Sequence, residues 1–143
     1  MNIIIVSHNN LAIELKSVIN SVYGKIDNLY AITFQDHESV ADLTCKINNL
    51  VKDSTKSNLI LIDFASGSPY NSIYPFLSYE NVNIITGVNV PMLLSIVTNQ
   101  NKPMNEIIDI AIKNGQNGIC DIKKLINEKL NNYNARYSNE DTI

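Results

Sequence analysis

Residues 1–34 read MNIIIVSHNNLAIELKSVINSVYGKIDNLYAITF, and two periodicities within them decide the fold. Ile3–Ser7 is a nearly unbroken β-branched run, the pattern of a strand covered on both faces. Leu11, Leu15, Val18, Ile19 and Val22 then recur at helical spacing, and Gly24 is a natural stop. Leu29–Phe34 returns to strand.

The alternation continues outward from there. Ser39 with Asp42 three residues on is a capping pattern, and Val40, Leu43, Ile47 and Leu50 give the next helix its apolar face. Leu59–Ile62 is a third buried strand. Ser68 as N-cap and Pro69 at the first helical position predict a helix to about Leu77. Val82–Thr86 is a fourth strand and Pro91–Val97 a short helix, with Asn89 before it read as a turn. Ile107, Ile108, Ala111 and Ile112 stripe a helix over about Asn105–Asn114, broken by Gly115 and Gly118. Ile119–Ile122 reads as a short strand, and Leu125, Ile126 and Leu130 as a last helix. The expected class is α/β: a mainly parallel, doubly wound sheet with helices on both faces.

Composition narrows the function. With 143 residues, one domain is expected, at 1–130, followed by a polar tail, 131–143, that should fray. Eleven Lys and Arg are scattered without a basic stripe and the net charge is −3, so no nucleic-acid partner is expected. Apolar runs are too short to span a bilayer, and the opening residues lack the basic start of a secretory leader, which points to a cytoplasmic location. Cys45 and Cys120 lie far apart with no metal-ligand spacing, and are expected as reduced, buried thiols; no metal or other cofactor is expected. Asn and Ile occur 22 times each, so an isolated Asn carries little information.

In such sheets the chemistry lies at the carboxyl ends of the strands. The first strand ends in Ser7-His8-Asn9-Asn10 and the third in Asp63-Phe64-Ala65-Ser66-Gly67-Ser68-Pro69. If strands one and three are neighbours, about 4.8 Å apart, Asp63 can accept the Nδ1–H of His8 and leave Nε2 as a nucleophile. Backbone N–H groups of the Ser66–Pro69 loop suit a phosphoryl oxygen. Together these make a site for phosphoryl transfer through phosphohistidine. Position alone leaves blander readings open: a satisfied polar histidine, a loop-capping Asp63, and Ser68-Pro69 as no more than a helix start. His37 reads as a solvated loop residue. There is no P-loop and no nucleophile-elbow glycine pair around Ser66 and Ser68.

The stretches IIIVSHNNLA (3–12), LILIDFASGSPYNS (59–72), IITGVNVPMLL (84–94) and NGQNGICDIK (114–123), in that order, resemble the IIA components of the mannose/fructose/sorbose family of the bacterial sugar phosphotransferase system. GSPYN and GVNVPML are specific in combination. The resemblance implies a phosphotransferase in which His8 accepts a phosphoryl group from the phosphocarrier HPr and passes it to a IIB component. It also implies that Asp63 orients His8, and that Ser68 matches the serine of the family's glycine-glycine-serine-proline segment. Asn9, Ser66, Gly67 and Ser68 are the expected phosphate-binding positions. Two of them depart from the family pattern: Asn9 stands where a glycine is usual, and Ser66 replaces the first glycine of the segment. The segment's usual bulky aromatic is not at Ala65; Phe64 precedes it instead. The resemblance further implies a homodimer exchanging a short edge strand, at Ile119–Ile122. IIB is expected as a separate polypeptide, and membrane contact only indirectly, through IIC and IID subunits. Two other readings of the same residues are the phosphoryl-donor subunit of dihydroxyacetone kinase and a regulatory module that reports phosphorylation state.

Overall fold

The computed structural model describes the backbone of residues 1–137 and the side chains of residues 1–133. Four strands alternate with helices: β1 (Asn2–His8), α1 (Leu11–Tyr23), β2 (Leu29–Phe34), α2 (Val40–Val51), β3 (Asn58–Ile62), α3 (Gly67–Asn71), β4 (Val82–Thr86), α4 (Val90–Thr98), α5 (Met104–Asn117) and α6 (Ile122–Tyr137). A short 3-10 turn, Tyr74–Phe76, follows α3. All pairings are parallel and the order is β2-β1-β3-β4, so the switch in strand order falls between β1 and β3. No described helix is long and apolar enough to cross a membrane.

Both faces of the sheet are covered, which explains the unbroken apolar runs of the two central strands. Ile3, Ile5, Leu59 and Leu61 point to one face, where α1, α4 and α5 pack through Ala12, Leu15, Ile19, Leu93, Ile96, Ile107 and Ala111. Ile4, Val6, Ile60 and Ile62 point to the other and meet Leu43, Ile47 and Val51 of α2, with Ile73 and Phe76. The period of two along each strand thus feeds two cores at once.

Several expectations need correction. The α1 stripe is narrower than its hydropathy suggests: Ala12, Leu15 and Ile19 are buried, whereas Leu11, Val18 and Val22 are exposed. The α1 helix meets β1, the edge strand β2 and α4, so only one row of its side chains is covered. The helix expected from Ser68 to Leu77 is cut short. Its N-cap is Ser66, and Pro75, which has no N–H for the carbonyl of Asn71, replaces its second half by the 3-10 turn. Asn89 does more than turn the chain. Its side chain accepts from the Met92 amide as the α4 N-cap and donates to the Gly115 carbonyl of α5. Cys45 and Cys120 are both exposed, not buried.

Ile119–Ile122 forms no strand. Gly118 ends α5, and Ile122 already belongs to α6. The cause is Asp121: its side chain accepts from the amides of Lys123 and Lys124, and its carbonyl from Leu125, so it caps the next helix. The α6 helix also runs through the expected boundary at residue 130 and on to Tyr137; the rest of the expected tail, 138–143, lies outside the described residues.

Candidate functional site

The register places the end of β1 between the ends of its neighbours. His8 pairs with Phe34 of β2, and Val6 with Ile62, the last residue of β3. Asp63, the next residue, donates its amide to the Val6 carbonyl at 3.3 Å, carrying the ladder one step beyond the strand. Asn9 does the same on the other side, donating to the Phe34 carbonyl at 2.9 Å. Its φ of 48° is left-handed, a conformation that Asn tolerates better than most residues, and it turns the chain out of β1 toward α1.

Buried Ser7 supplies what the α1 N-terminus lacks. The side chain of Asn10 makes no capping bond, and the Ala12 amide instead donates to Ser7 Oγ at 2.7 Å. A lone hydroxyl in an apolar run was the available signal for this role. Gln35 Nε2 reaches Asn10 Oδ1 at 3.3 Å, tying the loop after β2 to the loop after β1. His37, in that loop, is exposed.

Asp63 and His8 meet directly. Asp63 Oδ2 lies 2.7 Å from His8 Nδ1 and also accepts from the His8 backbone amide at 2.9 Å. Asp63 Oδ1 accepts from the Phe64 amide at 2.9 Å. The Asp63 side chain is only 6% exposed, against 34% for the imidazole. The carboxylate is therefore enclosed and fixed, while the ring opens to solvent on its far side. An ionised carboxylate can only accept, so a neutral His8 holds its proton on Nδ1 and its lone pair on Nε2.

Around Nε2 the chain is bare. Gly67 has φ +78°, and a Cβ built there would stand 3.0 Å from Nε2 and 3.2 Å from Cε1. Ser66 and Ser68 flank Gly67, Ser66 exposed and Ser68 half-buried. The Ser66 amide donates to the Phe64 carbonyl, and the Asn9 amide is likewise committed, so what these two residues can offer a ligand is their side chains. Two aromatic rings frame the imidazole. Phe64 stacks on it at 5.0 Å and 13°, and Phe34 meets it edge-on at 6.1 Å and 85°. The sequence placed neither ring against the imidazole; Phe34 ends β2 and Phe64 stands two residues past the end of β3, the two strands that flank β1. The arrangement suits an in-plane nucleophile with a fixed tautomer. Among the described residues, no group of three or more His, Cys, Asp or Glu is placed to hold a metal ion.

Residues 2–112 match the family model described as the PTS system fructose IIA component. The PTS system sorbose-specific EIIA component of Lacticaseibacillus casei is 35% identical over 103 residues, which cover 71% of this chain and 75% of that protein. The PTS system fructose-specific EIIA component of Bacillus subtilis (strain 168) is 30% identical over 101 residues, 68% and 69% of the two chains. In fold, the chain superposes on phosphotransferase system component EIIA from Streptococcus agalactiae with a TM-score of 0.79 at 24% identity, covering 86% of this chain and 98% of that one. The chain belongs to the IIA components of the mannose/fructose/sorbose family, phosphotransfer proteins of the sugar phosphotransferase system.

Proposed function

We propose that His8 carries the phosphoryl group, taking it from phospho-HPr and handing it to a IIB component during phosphoenolpyruvate-dependent sugar uptake. The observation that carries this reading is the 2.7 Å contact between His8 Nδ1 and Asp63 Oδ2, with Nε2 left facing the bare backbone of Gly67. In the forward step the Nε2 lone pair attacks phosphorus. The N–P bond forms as the donor's bond to phosphorus breaks, and that electron pair leaves with the donor. Nδ1 keeps its proton, and ionised Asp63 balances the positive charge that the ring acquires. The step to IIB is the same exchange in reverse sense.

Asp63 orients the ring, and Asn9, Ser66, Gly67 and Ser68 hold the phosphoryl oxygens. Gly67 matters most among these because a Cβ there would press on the imidazole at 3.0 Å from Nε2. We place this phosphocarrier unit in residues 1–130 and take it to work as a homodimer. Incubation with phosphoenolpyruvate, enzyme I and HPr is expected to add one acid-labile phosphoryl group, mapped to the peptide containing His8 and absent from His8→Ala. Label retained by His8→Ala would remove the assignment of the site, and an unlabelled wild type beside an active control would remove the carrier reading.

A further inference from the structure

We infer that Phe64 is a positioning residue for His8, fixing the plane of the imidazole so that the Nε2 lone pair meets an incoming phosphorus. The inference rests on the reading of His8 as the phosphoryl acceptor. The torsion that spins an imidazole about its Cβ–Cγ bond is soft, with broad wells. The Asp63 bond holds one ring atom and leaves some of that freedom. The Phe64 ring lies against the imidazole face, 5.0 Å between centroids and 13° from parallel, and takes the freedom away. Phe34, edge-on at 85°, gives the imidazole a second aromatic contact.

Phe64 is itself tethered by the same carboxylate, since its amide donates to Asp63 Oδ1 while Oδ2 holds the imidazole. One buried side chain therefore holds both the imidazole and the backbone from which the Phe64 ring projects. Phe64 is half exposed (50%), an apolar surface left at the mouth of a polar site. Its Cζ stands 4.0 Å from a Cβ built on Gly67, so its tip reaches the opening where Nε2 emerges. A ring phosphorylated on Nε2 and protonated on Nδ1 is cationic, and the face of Phe64 attracts that charge.

An aromatic pair is worth a few-fold to about tenfold in an equilibrium or rate. The test compares Phe64→Leu and Phe64→Tyr with wild type. In the unphosphorylated protein, the His8 ring protons are expected to lose the ring-current shift due to Phe64 in Phe64→Leu and keep it in Phe64→Tyr, whether or not His8 is the phosphoryl acceptor. With phospho-HPr, Phe64→Leu is expected to be labelled about three- to tenfold more slowly, and Phe64→Tyr to recover the wild-type rate within about twofold. Labelled wild type with an equally fast Phe64→Leu, or ring protons indifferent to both changes, would overturn the role of Phe64 alone. Wild type that takes no label, beside an active control, would overturn the His8 reading and this inference with it.

Discussion

Asp63 holds three hydrogen-bond donors on two oxygens, and that asymmetry makes it a sharper probe than His8 itself. Oδ2 serves the His8 amide and ring, and Oδ1 serves the Phe64 amide. An amide in its place has one acceptor oxygen, so Asp63→Asn turns an NH₂ toward a backbone N–H in either orientation. The expected cost is roughly 1–3 kcal/mol of stability for the amide left unpaired, with the protein still folded and phosphotransfer from phospho-HPr slowed. Thermal melting and single-turnover labelling check the two parts, and an unchanged transfer rate would contradict the orienting role. Gly67→Ala separates stability from chemistry in the other direction. At φ +78° an L-residue costs about 1–2 kcal/mol, while its methyl stands in contact with Nε2. The expected result is a modest fall in Tm with labelling reduced more than tenfold; labelling at the wild-type rate would show that the space beside Nε2 is not used. His8 and Asp63 could be paired from the sequence because both end strands that the topology sets side by side. The Phe64 stack could not, since it depends on how the loop after β3 closes over the strand end.

The four observed strands were readable to within a residue or two, and Val82–Thr86 and Leu29–Phe34 fall where the pattern puts them, whereas Ile119–Ile122, expected as a fifth, is not a strand. Helix faces and ends were less so, being settled by contacts that one-dimensional hydropathy does not contain. The junction of α4 with α5 shows this. Gly118, read as a simple breaker, is where α5 passes the start of α4, and a Cβ there would come 2.5 Å from Cγ of Pro91. A proline ring cannot swing aside, so Gly118→Ala is expected to destabilise by about 1–3 kcal/mol through overpacking, read as a lower denaturant midpoint with an unchanged m-value. The start of α2 gives a pH-dependent counterpart. Ser39 and Asp42 form the expected capping box, with Ser39 Oγ 2.6 Å from Asp42 Oδ2 and its amide 2.9 Å from the same oxygen. The Ser39 hydroxyl first, and its amide second, hold the Asp42 carboxyl below its ordinary value. A depressed folded-state pKa contributes stability above the ordinary carboxylate range and loses it as pH falls through the lowered value. The Tm difference between wild type and Ser39→Ala is therefore expected to be largest near neutrality and to shrink toward acid; a difference constant with pH would contradict the linkage.

At the scale of the whole molecule, the parallel order β2-β1-β3-β4 follows from alternation, and the site from the strand-order switch, but the C-terminal third leaves surface that a single chain does not explain. The strand β4 pairs on one side, with β3, and among the described residues nothing continues the sheet beyond it. Ile119, Ile122, Leu125, Ile126 and Leu130 are all exposed, and from Ile122 onward they recur at three- and four-residue spacing along one side of α6. Large apolar side chains gathered in this way mark an interaction surface, and the homodimer proposed above is expected to cover it. In the single chain the Asp121 cap commits Ile122, the last residue of the expected exchanged strand, to helix. Sedimentation velocity is expected to give a species of twice the 16.0 kDa chain mass at micromolar concentration. Replacing Ile122 and Ile126 together by Asp removes apolar burial worth roughly 1.5–3 kcal/mol per side chain, enough to shift the equilibrium to monomer. Because neither residue belongs to either core, the variant is expected to keep the wild-type circular dichroism and the His8 label. A wild-type monomer at tens of micromolar, or a doubly substituted protein that still sediments as a dimer, would place the subunit contact elsewhere on the molecule or nowhere.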